Sequence, residues 1–409
     1  MAAVGAGCVL ASMLVAGGLH LARLEAPSGG NIQNGTGDFA AFWTGAVLVH
    51  EGRGDELYSA SAQHEAQQRI LGGRSSGFQP YLNPPLLALL LAPLVDAGYL
   101  TGFYAWDALC VSALLLGIAC LAAALPRIGA RREGRLVLAL AIAGYQPMLL
   151  TGIGGQNTTL TFALLSAMVL ATRRGQQIAA GAALGLLTFK PQYALGAGVA
   201  LLLLGQWRAL AAGVAMGALH LAAGLWACGA DWPMRMMAFL TDSRAAELAA
   251  NGPDHFSLVR VATLALPEVA AVLVMAFGLG VPLLALLRTL EAGRSGSTAW
   301  WALALCLVLL ASPHLQYYEA ALLVLPAALL VEAAEAQGPG VAPWGRLLLA
   351  VGWLSFPAWS LGRTLGFQPL LLPLLALTVW ALWALRAEAA RNLRAGAQKR
   401  KGRLPRPAR

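Results

Sequence analysis

Residues 98–124, GYLTGFYAWDALCVSALLLGIACLAAA, decide the fold class of this protein. Asp107 is the only charged residue in this stretch, and a helix needs about 20 apolar residues to cross the hydrocarbon of a bilayer. Similar apolar runs recur along the 409-residue chain, which is 58% hydrophobic and only 11% charged. Soluble globular proteins carry about 25% charged residues. The sequence therefore predicts an all-α, polytopic membrane protein.

Charged or Gly/Pro-rich breaks divide the apolar runs into about twelve predicted transmembrane helices. These lie near residues 3–22, 98–124, 136–150, 157–172, 177–189, 193–206, 208–228, 264–287, 299–311, 317–332, 346–361 and 369–385. The first run resembles a signal peptide in length, but no Lys or Arg precedes it, so we expect an uncleaved first span.

The distribution of Lys and Arg predicts the orientation. With a cytoplasmic N-terminus, 19 of the 28 Lys and Arg residues face the cytoplasm, as the positive-inside rule requires. We therefore expect one transmembrane domain over residues 1–385 and a basic, disordered cytoplasmic tail over 386–409 that contacts anionic membrane lipids. Because the basic charge is concentrated in that tail, no nucleic-acid-binding domain is expected. The Ala- and Arg-rich composition favours a bacterial inner membrane.

This topology leaves two long outer loops, at about residues 23–98 and 229–263, where aqueous chemistry can take place. Apolar residues at three- and four-residue spacing in 39–50 predict an amphipathic helix on the membrane surface that ends at Gly52. Residues 83–95 are too short for a crossing and predict an interfacial or re-entrant helix. Asp38 precedes the first of these helices. Its carboxylate either caps the helix or meets an acceptor hydroxyl at the lipid–water boundary.

Other polar residues fall on the same outer face. Gln156 and Asn157 offer amide groups to sugar hydroxyls, although the start of a capped helix explains them as well. Lys190 is the only lysine before the tail and is either the partner of an anion or a side chain that snorkels to the interface. His314 and Tyr317 can hydrogen-bond a phosphate or sugar, or belong to an interfacial aromatic belt.

Three further features argue for structural roles or against a metal. The segment from Tyr81 through Asn83 to Pro84-Pro85 is explained by prolines that end one element and start the next. All five cysteines lie in apolar stretches without CxxC spacing, so we interpret them as core residues. No Asp-x-Asp pair occurs in the sequence, and we expect no metal and no cofactor.

Taken together, these motifs resemble glycosyltransferase family 87, membrane enzymes of the GT-C fold that use polyprenyl-phosphate mannose. The resemblance rests on Asp38-Phe-Ala-Ala-Phe-Trp, Gly52 through Leu57-Tyr58, Tyr81-x-Asn-Pro-Pro-Leu, Trp106, Gly155-Gln156-Asn157, Lys190-Pro191-Gln192 and Ser312-Pro313-His314. It implies a GT-C-type bundle of about twelve transmembrane helices with a large first outer loop that carries interfacial helices.

The resemblance also implies roles for individual residues. Asp38 matches the general base of the family, and Lys190 matches a lysine near the donor phosphate, where His314 or Arg53 adds positive charge. The expected contacts to sugar or acceptor are Gln156, Asn157, Asn83, Tyr81, Gln192 and Tyr317.

The activity so implied is inverting, metal-independent transfer of a hexose, mannose first, from a polyprenyl-phosphate sugar to a lipid or glycan acceptor on the outer face. A transporter or lipid flippase is the main alternative, and it would place polar residues at mid-membrane depth. A third alternative is a non-catalytic scaffold, which would tolerate Asp38→Asn.

Overall fold

The computed structural model describes residues 37–71, 78–291, 296–336, 343–354, 361–366 and 368–401. The predicted first span, residues 3–22, lies outside them. Within the described ranges all regular structure is helical, apart from one isolated antiparallel bridge between His255 and Gln316. The predicted all-α class is confirmed.

The α-helices follow the chain in this order: α1 Phe39–His50, α2 Ala60–Leu71, α3 Leu86–Leu91, α4 Tyr99–Ala124, α5 Pro126–Ala130, α6 Arg132–Ala143, α7 Gln146–Ile153, α8 Thr158–Arg173, α9 Gln177–Leu186, α10 Pro191–Leu203, α11 Trp207–Cys228, α12 Trp232–Asn251, α13 Leu258–Ala265, α14 Glu268–Glu291, α15 Thr298–Ala311, α16 Val324–Glu335, α17 Pro343–Leu354, α18 Gly362–Leu365 and α19 Leu371–Lys401. Short 3₁₀ segments are Gly54–Glu56, Ala92–Ala97, Leu187–Phe189, Gly252–Asp254 and Tyr317–Leu323.

Several helices are long and apolar enough to cross a membrane, so the chain is a multi-pass membrane protein. These are Tyr99–Ala124, Trp207–Cys228, Glu268–Leu290, Tyr317–Glu335 and Leu371–Arg391. A sixth span is possible if α6 and α7, which meet at a 62° bend, count as one. The other apolar helices have only 10–17 residues. Such helices are at most about 25 Å long, against a hydrocarbon core of about 30 Å, so the predicted count of twelve is not confirmed.

Helix α1 is covered by protein along most of its length. Every residue from Phe39 to Leu48 is buried, and the helix packs against α2, α3 and α4. The ring of Phe39 lies 5.3 Å from that of Phe103, and Phe42 lies 5.3 Å from Trp106. A surface amphipathic helix is therefore not confirmed, because neighbours cover its polar side as well as its apolar side. The predicted end at Gly52 agrees with the structure, where Gly52 has φ +73°.

A buried carboxylate of the second half holds a helix of the first half in place. The buried carboxylate of Glu332 on α16 accepts hydrogen bonds of 3.0 Å from the backbone amides of Arg127 and Ile128, at the start of α5. Backbone amides at the start of a helix otherwise lack partners, so this carboxylate satisfies them.

The last helix continues to Lys401, so residues 386–401 of the expected tail are helical. Residues 402–409 lie outside the described part of the chain.

Candidate functional site

A cavity of about 2110 Å³ opens among α1, α7, α10, α12, α13, α14 and α15 and the segment that follows α15. Five residues that the sequence analysis placed on one face line this cavity together: Asp38, Asn83, Gln156, Lys190 and His314. They come from five separate parts of the chain. The fold therefore brings them to one site.

Asp38 stands at the N-cap position of α1, but its side chain makes no capping hydrogen bond. Its carboxylate instead accepts a hydrogen bond from Nε2 of Gln156. Its backbone N–H donates to the carbonyl of Gly154 over 2.9 Å. Withdrawal from water raises the pKa of Asp38 above 3.8, while the Gln156 hydrogen bond and the charge of Lys190 oppose that rise. The carboxylate thus lies at the cavity wall, where it is hydrogen-bonded to Gln156.

The turn that positions Asp38 is held by α4. The indole Nε1 of Trp106 donates to the carbonyl of Gly155 over 2.8 Å. Gly155 has φ +64°, a conformation that favours glycine. The next residue but one, Asn157, is buried, and its Oδ1 has no hydrogen-bond partner among the described residues. Because a buried acceptor is costly when unsatisfied, this oxygen is suited to a ligand hydroxyl.

Lys190 lies between the 3₁₀ segment Leu187–Phe189 and the start of α10, and it is only 7% exposed. Its Nζ donates to Oε1 of Glu319 over 2.7 Å and lies 5.6 Å from the centre of the Tyr193 ring. The other carboxylate oxygen of Glu319 accepts from the backbone N–H of Gln316 over 3.2 Å. Lys190 is therefore a buried, paired cation at the cavity wall, and it does not snorkel to an interface.

Acidic and imidazole side chains meet at another part of the cavity. Nε2 of His255 and Nδ1 of His314 lie 2.7 and 3.8 Å from the same oxygen of Glu247. Burial raises the pKa of Glu247, but the His255 hydrogen bond and the nearby positive groups outweigh it and hold the pKa below 4.5. Burial lowers the pKa of His314 below 6.5. Arg260 donates to the carbonyl of Pro313 from Nε and Nη2, which fixes the segment that carries His314.

The remaining predicted residues divide between the cavity and its surroundings. Gln192 and Tyr317 line the cavity. Asn83 also lines it, and its carbonyl accepts from the Tyr58 hydroxyl over 2.8 Å. Tyr81 is fully buried, and its hydroxyl donates to the carbonyl of Pro84 over 2.6 Å. Tyr81 thus holds the proline turn and is not among the lining residues.

Arg53 is also outside the set of residues that line the cavity. Its guanidinium pairs with Glu56 at 2.6 Å, Glu65 at 3.3 Å and Glu51 at 3.5 Å. Three carboxylates in its own loop satisfy its charge and hold it there. The structure does not bring Arg53 together with Lys190 and His314.

Sequence reasoning did not single out Glu247 and His255. Both lie in the second predicted outer loop, and that location was the feature of the sequence that could have pointed to them. The partner of Lys190 is Glu319, which lies 129 residues further along the chain. Partners so far apart along the chain have no spacing rule that a single sequence displays.

Comparison with known proteins identifies one family. Residues 81–313, more than half of the chain, match the sequence model of glycosyltransferase family 87. The match includes Gln156, Asn157 and Lys190, while Asp38 precedes it and His314 follows it directly. No curated protein and no solved structure matches the chain.

Proposed function

This chain belongs to glycosyltransferase family 87, and from that premise we propose that it transfers a hexose, mannose first, from a polyprenyl-phosphate sugar to a lipid or glycan acceptor. It is a membrane glycosyltransferase. The donor, the sugar and the acceptor are the content of the proposal. The family match favours this enzyme over the transporter or flippase alternative.

One observation carries the proposal: Asp38 and Lys190 line the same cavity, one as a carboxylate and the other as a cation. The side chain of Asp38 is not used to cap its helix, and a carboxylate has acceptor sites beyond the one that Gln156 occupies at Oδ2. The positive charge of Lys190 is close enough to lower the pKa of Asp38. A base and a phosphate partner within one cavity are the two groups that sugar transfer from a lipid phosphate needs.

The proposed reaction is a single displacement. An acceptor hydroxyl gives its proton to the Asp38 carboxylate while its oxygen attacks the anomeric carbon of the sugar. The bond from that carbon to the phosphate oxygen breaks, and its electron pair leaves with the lipid phosphate. Attack opposite the leaving group inverts the anomeric configuration. This step does not require a metal ion, because the lipid phosphate is already a weak base and can leave without a metal clamp.

Stabilisation of the departing phosphate is assigned to Lys190 and His314, which line the cavity beside Asp38. Fixed positive or donor groups where negative charge develops are usually the largest single contribution to such catalysis. Lys190 must then leave Glu319, or share its three ammonium protons between Glu319 and the phosphate. For the sugar or acceptor hydroxyls we propose Gln156, Asn157, Asn83, Gln192 and Tyr317, which all line the cavity.

An apolar wall supports a lipid-linked donor. Helices α10 and α14 contribute apolar residues to the cavity, namely Leu195, Val199, Leu203, Leu279, Leu283 and Leu286. An isoprenoid chain is fully apolar, so burial against this wall is favourable at about 25 cal/mol per Å². We propose that the head of the donor lies near Asp38, on the outer face of a bacterial inner membrane, with both termini of the enzyme in the cytoplasm.

The test is transfer of radiolabelled mannose from polyprenyl-phosphate mannose to membrane lipid and glycan fractions, with a metal chelator present. Wild type is compared with Asp38→Asn, which keeps an oxygen that can accept from Gln156. Loss of a general base lowers the rate by about 10²- to 10⁴-fold. Asp55→Asn is the control, since Asp55 is an exposed carboxylate of the same loop and does not line the cavity.

Near-wild-type transfer by Asp38→Asn would refute the base assignment. The labelled fraction identifies the class of acceptor. If no polyprenyl-phosphate sugar serves as donor while lipid or solute crosses liposome membranes that contain the protein, the transporter alternative replaces the enzyme.

A further inference from the structure

Glu247, His255 and His314 form a compact set of potential metal ligands beside the cavity. One ligand atom from each lies within 4.8 Å of those from the other two. We propose that these three side chains bind a divalent transition-metal ion, with Zn²⁺ as the best match. This site shares His314 with the proposed donor-phosphate contact, so Lys190 alone stabilises the departing phosphate while an ion is bound. The sugar-transfer step itself, with Asp38 as the base, uses no metal.

The ligand chemistry fits zinc. Two imidazole nitrogens and one carboxylate oxygen are the donor set of zinc sites that keep one position open. Zinc bonds of about 2.0–2.1 Å place tetrahedral ligand atoms roughly 3.3 Å apart. Here Nε2 of His255 and Nδ1 of His314 lie 2.7 and 3.8 Å from Oε1 of Glu247, on either side of that spacing. Imidazole with carboxylate selects zinc over magnesium or calcium, which prefer oxygen ligands alone.

The backbone holds the ligands together before any ion binds. His255 forms an antiparallel bridge with Gln316, and the N–H of Phe256 donates to the carbonyl of Leu315 over 3.0 Å. The segment before α13 and the segment after α15 are therefore paired, and the rings of His255 and His314 lie 4.9 Å apart. Preorganised ligands lose little conformational freedom when they bind, which increases affinity.

Two further contacts hold the ligands in place. The side-chain Nε2 of Gln316 donates to the Glu247 carboxylate over 3.4 Å. Arg260 fixes the backbone next to His314 through the carbonyl of Pro313. Such outer contacts orient metal ligands and typically change affinity by about 10- to 100-fold.

A simple Glu–His ion pair explains less of this arrangement. It accounts for the 2.7 Å contact between His255 and Glu247, but it does not explain why His314 lies near the same carboxylate oxygen. Glu247 and His314 both line the cavity, so an ion there would have its open position toward the cavity. Water or an anionic oxygen would fill that position.

The test measures metal binding directly on the full chain in detergent, purified through a tag that contains no histidine. The protein is stripped with chelator, equilibrated with Zn²⁺, freed of unbound ion and analysed for metal. Substitution with Co²⁺ then gives a visible absorption spectrum that reports coordination number. Variants are His255→Ala and Glu247→Gln, and the second keeps the shape and a hydrogen-bonding oxygen if the first fails to fold. His64→Ala is the control, because His64 is an exposed histidine on α2.

We expect wild type and His64→Ala to retain about one ion per chain and to show an intense, four-coordinate Co²⁺ spectrum. His255→Ala and Glu247→Gln should bind at least roughly tenfold more weakly, and Zn²⁺ should raise the unfolding temperature of wild type but not of these variants. Wild type that retains no ion would overturn the proposal. So would folded Glu247→Gln that binds zinc as wild type does. Neither result depends on sugar transfer, so this proposal and the proposed function can fail separately.

Discussion

The buried pair of Lys190 and Glu319 makes the sharpest prediction, because its contributions to stability and to transfer can be separated. Glu319 is 1% exposed and Lys190 is 7% exposed, and their charged atoms are 2.7 Å apart. Two unit charges about 4 Å apart attract by about 4 kcal/mol at an effective dielectric constant of 20. Removing one partner of a buried pair costs about 3–5 kcal/mol, because the other charge stays buried without compensation.

We therefore expect Lys190→Met to lower the free energy of unfolding by about 3–5 kcal/mol. Glu319→Gln should do the same, since it removes the carboxylate that accepts a hydrogen bond from the buried ammonium of Lys190. The double variant removes both charges and should recover most of that loss. Transfer should not recover, because the double variant still lacks the cation proposed for the donor phosphate.

The assay is reversible unfolding in mixed micelles of the wild type, the two single variants and the double variant. Transfer of labelled mannose is measured as well, at a temperature where each protein is folded. Coupling between the two sites is the loss in the double variant minus the sum of the single losses. Additive losses would refute the energetic argument for the pair. A double variant that is both stable and fully active would show that Lys190 does not serve the donor.

Three further predictions follow from named contacts. If Asp38 is the base as proposed, transfer needs its ionised form, and because its pKa is raised, activity should fall with decreasing pH at a value above 3.8. The residual activity of Lys190→Met should fall at still higher pH, because the charge that lowers the pKa of Asp38 is gone. A pH–rate profile with no acid limb above 3.8 would contradict this. Gly37→Ala should lower the free energy of unfolding by at least about 1 kcal/mol and reduce transfer, because Gly37 has φ +52° and an added Cβ would meet the Gly154 carbonyl. Gly52→Ala is the control. Gly52 has φ +73° in open space, so this variant carries only the conformational cost and should retain transfer. Glu332→Gln should lower the free energy of unfolding by about 1.5–3 kcal/mol, because the charged acceptor at the start of α5 is lost; an unchanged unfolding midpoint would contradict that role.

Part of the cavity lining could be predicted from the sequence. The positive-inside rule and the cost of a cation in lipid pointed to Asp38, Gln156 and Lys190 as members of one face, and all three line one cavity. Those rules work locally, since each reads one residue against its own apolar neighbours. The family resemblance rested on the same short motifs, and the match over residues 81–313 confirms it.

The tertiary structure was needed to show which side chains pair with each other and how deeply each helix is buried. Apolar content predicted helices at the described positions, but it did not separate a membrane-crossing helix from a shorter one enclosed by protein, because lipid and protein interiors are both apolar. Helix α1 is the example: its pattern indicated a surface, yet Phe39 through Leu48 are covered by other helices.

By itself, then, the sequence determined that this is a helical membrane protein and identified the family whose motifs it carries. Only the tertiary structure decided that Lys190 is paired with Glu319, that Arg53 is held by its own loop, and that Glu247 meets His255 and His314. The physical reason is that hydropathy and local charge are properties of neighbours along the chain. Ion pairs and ligand sets depend on distances between segments, which only the packed bundle defines.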